Sequence, residues 1–362
     1  MKYIVTIISI VLVLSGCSGL HSMPPNGYSK TDDQLTLRVF FDQFGDLYPA
    51  SHDQSYDALM PDQKTIGRNY AFSIRTHMKK IGQTYNNDTI EKQYNLLSET
   101  ISSKLVSDED LSILFLIHGY NNSYDEARSS FDYIKSSIQS KTNKRYLFVE
   151  VYWDGLFEGP FTAPFPIAYW FEALTHSNKA GQVGLRRLIN KLPENTDLTI
   201  LTHSRGAGVA FSAVLNPKHG TKVSKPKFET FEGGNLGKIR IISIAPAVGT
   251  NHPVEKLSRL LPAGSKVFIG FNSEDETLKK SKGKIKVGAG KFGDTRLGSD
   301  DEFYKSAETL ANKNSIILQR VSYANYKEHA IKGYIDKEES TNCLFWAATL
   351  IDEKPSGCML VQ

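Results

Sequence analysis

Net charge is nearly absent from this chain: 43 Lys and Arg stand against 39 Asp and Glu, leaving a formal +4 over 362 residues. No dense Lys/Arg face appears, which argues against a nucleic-acid partner. No internal repeat and no low-complexity block appear, so repeat architectures are excluded. The N-terminal apolar run, Tyr3 to Leu14, is too short to span a bilayer, which takes about 20 residues. Cysteine is scarce, at Cys17, Cys343 and Cys358 only. What the chain does hold is ordinary globular composition, 40% hydrophobic and 23% charged, enough to fill a large core. The length allows two domains, or one α/β domain with insertions.

The N-terminus has a direction. Lys2 precedes the apolar run, whose length suits a signal-peptide core, and the run ends in Leu14-Ser15-Gly16-Cys17. This tetrad resembles a bacterial lipobox. The resemblance implies that residues 1–16 are removed, that Cys17 is lipidated, and, with Ser18 following it, that the outer membrane of the cell envelope is the destination. Several acyl chains on one residue anchor stably, each buried CH2 contributing roughly 0.8 kcal/mol. Residues 17–36 include Pro24, Pro25 and Gly27 and are predicted to be a flexible tether. Residues 37–362 form the remaining domain, with a strand and helix extension at its start and a helix at its end. An exported chain meets an oxidising compartment, so Cys343 and Cys358 are expected to pair; neither has the surroundings of a catalytic cysteine.

Leu37 to Tyr48 is strand-like before and around the turn signal Gly45-Asp46, and Arg75 to about Leu105 has helical spacing. Leu111 to Ile117 is a continuous apolar run, suited to a strand buried on both faces. Ser123 with Glu126 forms a capping box, after which Ala127, Phe131, Ile134 and Ile138 recur at helical spacing. Further strands are predicted at Tyr146 to Tyr152, Leu198 to Leu201, Ile239 to Ala245, Lys266 to Phe271 and Ile316 to Val321. Helices are predicted over Val183 to Leu192 and Arg205 to Leu215, the latter stopped by Pro217. Strand and helix in steady alternation predict a mostly parallel central sheet with helices on both faces.

Acyl transfer by serine needs a nucleophile, a base, an orienting carboxylate and an oxyanion hole. Each has a candidate after a strand, where ligands bind in open α/β sheets. Thr202-His203-Ser204-Arg205-Gly206 lies between a strand and a helix and resembles the nucleophile elbow G-x-S-x-G, with Thr202 in place of the first Gly. Ser204 is the candidate nucleophile; the alternative is a helix-capping Ser. His203, next to it, reads as structural. Ile117-His118-Gly119-Tyr120-Asn121 resembles the His-Gly turn that lends a backbone N–H to the oxyanion. Tyr120 is the expected first donor and Arg205 the second, at a helix N-terminus; His118 reads as a hydrogen-bonded turn residue. Asp275, within Asn272-Ser273-Glu274-Asp275-Glu276, is the candidate acid, with Glu274 as fallback. No His lies near these carboxylates, which argues against a metal. His329 is the candidate base: it follows the last strand, giving the order Ser, Asp, His. His219 and His252 fall in the wrong places.

These motifs together resemble the α/β-hydrolase superfamily. The nearer likeness is to a bacterial group with a His-Gly-Tyr-Asn turn and a Gly-x-x-Arg-Leu-Gly segment, here Gly293 to Gly298. It covers roughly residues 110 to 335 and implies an α/β-hydrolase fold cleaving an ester, thioester or amide with no cofactor and no metal. It fixes neither substrate nor oligomeric state. The expected activity is cleavage of an acyl ester, with a lipid or other envelope ester as candidate substrate. An amidase or peptidase on the same residues is the rival enzyme. A hydrolase fold without activity, serving as a binding lipoprotein, is the rival from another class. Trp153-Asp154-Gly155 and the aromatic run Phe157 to Phe171 read either as a lid or acyl pocket or as a packed helix and loop. The lysine-rich stretch Lys279 to Lys291 reads as a solvated loop, or as a contact for anionic head groups.

Overall fold

A computed structural model of the chain describes residues 33–49, 73–155, 166–215, 236–249, 261–279, 296–313, 315–323 and 325–361. The signal peptide, Cys17, most of the tether, residues 156–165, His219, His252 and residues 280–295 lie outside the described residues. Among those described, seven strands form one sheet: β1 Thr36–Phe41, β2 Leu111–Ile117, β3 Arg145–Trp153, β4 Leu198–His203, β5 Ile239–Ile244, β6 Lys266–Phe271 and β7 Ile317–Ser322. The order is β1-β3-β2-β4-β5-β6-β7, and every neighbouring pair is parallel. The sheet is thus wholly parallel. All six residues of β4 are buried, as are the last five of β2. Consecutive strand residues face opposite sides, so helices cover both faces.

The helices are α1 Ile74–Lys80, α2 Asn87–Ser107, α3 Tyr124–Gln139, α4 Pro166–Lys179, α5 Arg186–Ile189, α6 Gly206–Val214, α7 Glu276–Lys279, α8 Asp301–Lys313, α9 Ile331–Ile335 and α10 Glu338–Ala347. Both arms of the predicted capping box start α3: Ser123 Oγ accepts from Glu126 N–H at 3.3 Å, and Glu126 accepts from Ser123 N–H at 2.8 Å. Its Ala127, Phe131, Ile134 and Ile138 are buried, and it packs on β3 and α9. α6 is buried at all nine positions, against α4, α5 and the strands β2 and β4.

Three boundaries differ from expectation for local reasons. β1 stops at Phe41 because the Asp42 carboxylate takes the N–H groups of Phe44 and Asp46, and Gly45 turns left-handed at φ 81°. The helix expected over 75–105 is two. Gly82, at φ 76°, ends the first, and Asn86 caps the second by accepting from Thr89 N–H. The helix expected at 183–192 ends at Ile189 and begins further back, as α4, continuing through a π turn at Ala180–Leu185 into α5. No helix among the described residues is long and apolar enough to cross a membrane.

Candidate active site

The sheet places its own crevice. From β2 the chain steps outward to β3, then returns to β4 on the other side of β2. Connections therefore diverge between β2 and β4, and the ends of these strands border the opening where ligands bind in doubly wound sheets. His118-Gly119-Tyr120 follows β2, and Ser204 follows β4.

Ser204 sits at φ 53°, in the left-handed region a non-glycine residue avoids. Its backbone is held there from two sides: Ser204 N–H donates to Ile244 C=O at 3.0 Å, and Ala247 N–H donates to Ser204 C=O at 3.1 Å. The following helix passes so close to β2 that a Cβ on Gly206 would lie 2.5 Å from His118 O and 2.8 Å from Ile117 O. Gly119 also lies close to the elbow: its Cβ would lie 3.0 Å from Ser204 Cβ. Thr202, the departure from the elbow pattern, lies in regular parallel register with Ile117 and Ser243. It is fully buried, and its hydroxyl pairs with Ser243 Oγ at 3.0 Å, so the extra side chain has room and a partner.

Three side chains from distant parts of the chain meet in a line. His329 Nε2 lies 2.6 Å from Ser204 Oγ, and His329 Nδ1 lies 2.5 Å from Asp275 Oδ2. Asp275 is fully buried after β6, and its Oδ1 accepts the N–H groups of Thr277 and Leu278 at 2.9 and 3.0 Å. Asp275, not Glu274, is the carboxylate in contact with His329. His203 packs beside His329, ring centroids 4.8 Å apart. Burial, reinforced by His329, holds His203 well below the ordinary imidazole value, so it stays neutral.

The turn after β2 is built around His118. Trp153 N–H donates to its Nε2 at 3.0 Å, which leaves the ring proton on Nδ1, and Nδ1–H donates to Gly119 C=O at 2.8 Å. Trp153 stacks on the ring and donates its indole N–H to His118 C=O. Burial lowers His118 to about 4. With the Gly119 carbonyl fixed, the trans peptide turns the Tyr120 N–H the opposite way. Asn121 N–H donates to Gly155 C=O at 2.8 Å, so Trp153 to Gly155 brace this turn. Burial drives the Tyr120 hydroxyl up to about 12.

Arg205 contributes more than a backbone N–H. Its guanidinium is buried behind the elbow and donates to Ser177 Oγ, Asn178 Oδ1, Leu174 C=O and Ala247 C=O. Burial lowers it to about 9, which leaves it charged at neutral pH. Sequence reasoning missed this side chain, and it missed Tyr334, whose hydroxyl lies 2.5 Å from Asp275 Oδ2. Near the C-terminus Cys343 and Cys358 are joined by a disulfide, with Cα atoms 5.1 Å apart. Among the described residues no group of His, Cys, Asp or Glu could hold a metal ion.

A wholly parallel sheet with a serine on a strained strand–turn–helix at its switch point is the architecture of an α/β hydrolase. The chain belongs to the family described as alpha/beta hydrolase of unknown function, DUF900, which matches residues 95–288, just over half of its length. That stretch includes Ser204 and Asp275 and ends before His329. No curated protein matches the chain. Among solved structures, an uncharacterized protein from Bacillus cereus is 12% identical with a TM-score of 0.32, over 73% of this chain and 78% of that one. A bifunctional GH43-CE protein from Bacteroides eggerthii is 14% identical with a TM-score of 0.30, over 62% of this chain and 33% of that one. The chain thus spans about a third of the second protein's length.

Proposed function

We propose that this hydrolase cleaves an acyl ester through Ser204, His329 and Asp275. His329 takes the Ser204 proton as Oγ attacks the acyl carbonyl, and Asp275 orients His329 and stabilises its charged form. The N–H groups of Tyr120 and Arg205 receive the oxyanion, aided by the start of α6. His329 then protonates the leaving alcohol. Water, deprotonated by His329, attacks the acyl-enzyme and releases the acid and free Ser204. The observation that carries this reading is the unbroken contact from Ser204 Oγ through His329 to a buried Asp275.

The same reading includes the anchor. Leu14-Ser15-Gly16-Cys17 supports lipidation of Cys17, and the tether expected over 17–36 ends short of Thr36, which is the first residue of β1. A hydrolase held at the outer membrane in this way meets lipid and envelope esters first. The test is labelling with a fluorophosphonate probe, which reacts with an activated serine whatever the substrate. The wild type labels and Ser204→Ala does not. An unlabelled wild type, or equal labelling of the two, overturns the reading. Chromogenic esters against peptide amides then separate esterase from amidase.

A further inference from the structure

We propose that Tyr334 is a positioning residue for the acid arm of the site, its hydroxyl holding the Asp275 carboxylate in place against His329 and so shaping the pH profile of the reaction. This rests on the roles of Ser204, His329 and Asp275 given above.

A fully buried carboxylate must be compensated or it takes up a proton. Among the described residues no Lys or Arg bonds to Asp275, and four donors do. Two are the N–H groups on Oδ1. The other two converge on Oδ2: His329 Nδ1–H and the Tyr334 hydroxyl, each at 2.5 Å. An ionised carboxylate only accepts, so the Tyr334 O–H donates. Its direction is fixed from behind. Asn272 Nδ2 donates to Tyr334 Oη at 2.9 Å and to Tyr326 C=O at 2.7 Å. Asn272 Oδ1 accepts from Glu274 N–H at 3.0 Å, which settles which end of the amide is which. Asn272 is fully buried. The Tyr334 ring is gripped edge-on by Tyr323 and Tyr326, with centroids 5.1 and 4.8 Å away. Burial, then Asp275, drives the Tyr334 hydroxyl far above its ordinary value, so it remains a donor throughout the working range.

Removing the hydroxyl acts twice in one direction. Asp275 loses a donor that favours its charged form. Oδ2, relieved of a competing donor, also holds the His329 imidazolium more strongly. The active state needs ionised Asp275 and neutral His329, so the acid limb of the rate profile moves to higher pH. Among the described residues the other titratable groups beside Asp275, His329 and Tyr334 are His203, Tyr326 and the chain neighbours Glu274, Glu276, Lys327 and Glu328, with Tyr323 on the far side of the Tyr334 ring. His203 stays neutral and adds no limb of its own.

The experiment measures the fluorophosphonate labelling rate between about pH 5 and 9.5 for the wild type, Tyr334→Phe and Asn272→Ala. Tyr334→Phe moves the acid limb up by about one unit. Labelling is then about ten-fold slower below the limb and within about two-fold of wild type well above it. Asn272→Ala, which leaves the hydroxyl without its guide, shifts the limb the same way by less. A loss that is uniform at every pH, or a limb that stays in place in both variants, overturns the role of Tyr334 while the Ser204 reading stands. A wild type that never labels overturns both.

Discussion

His118 offers the sharpest physical test, because its neutrality is written into two hydrogen bonds. Its Nε2 accepts the Trp153 N–H, so a second ring proton has no place to go without losing that bond. Burial lowers the group to about 4, against an ordinary 6.5. The folded value lies below the unfolded one. The stabilising contribution is therefore whole above pH 6.5 and is lost as pH falls towards 4. A shift of that size amounts to about 3 kcal/mol when complete, of which about 2 kcal/mol is gone by pH 5. The comparison is His118→Gln against wild type, by urea unfolding followed through tryptophan fluorescence at pH 7 and pH 5. At pH 7 the variant is less stable by about 1–3 kcal/mol, since the Trp153 N–H or the Gly119 C=O is left poorly paired. At pH 5 that gap closes by about 2 kcal/mol. His203 titrates in the same sense. Asp42 is raised to about 8 by burial and then by Asp46, so its contribution is lost as pH rises. Both are present in both proteins and drop out of the difference. A gap of equal size at the two pH values refutes the argument.

Two further outcomes follow from close approach and from the N-terminus. Gly206→Ala puts a methyl group 2.5 Å from His118 O, a backbone atom that must move, so destabilisation of about 1–3 kcal/mol is expected. A melting point lower by several degrees and slower fluorophosphonate labelling are the readouts, and a variant matching wild type in both contradicts the packing of elbow on turn. Cys17→Ser is expected to move the protein from the membrane to the soluble fraction; continued sedimentation with membranes rules out the lipid as what holds it.

The strands were legible because a sheet covered on both faces asks for unbroken apolar runs, and Leu111 to Ile117 or Lys266 to Phe271 are little else. The start of α3 was legible because a capping box is local. Ser204, Asp275 and His329 stood out because strand ends and chain order constrain them, and they come together in the fold. Thr202 looked like a defect only while Ser243, 41 residues away, was out of sight. Tyr334 lies 59 residues from the carboxylate it contacts, and no period or spacing announces such a pair. The Arg205 side chain was hidden by its own backbone: the position suits an oxyanion donor, and nothing nearby in sequence says where the guanidinium goes. The break between α1 and α2 was readable from Gly82, whose neighbours kept helical spacing and masked it.

That guanidinium has a mechanical consequence. Three of its four acceptors, Leu174, Ser177 and Asn178, belong to the last turns of α4, and the fourth, Ala247, belongs to the loop that holds Ser204. One residue thus clamps two layers of the molecule at the base of the site. The end of α4 is thereby held in register with the loop that braces the serine. A displacement of that helix end cannot leave the nucleophile's loop untouched, because both hang on a single cation.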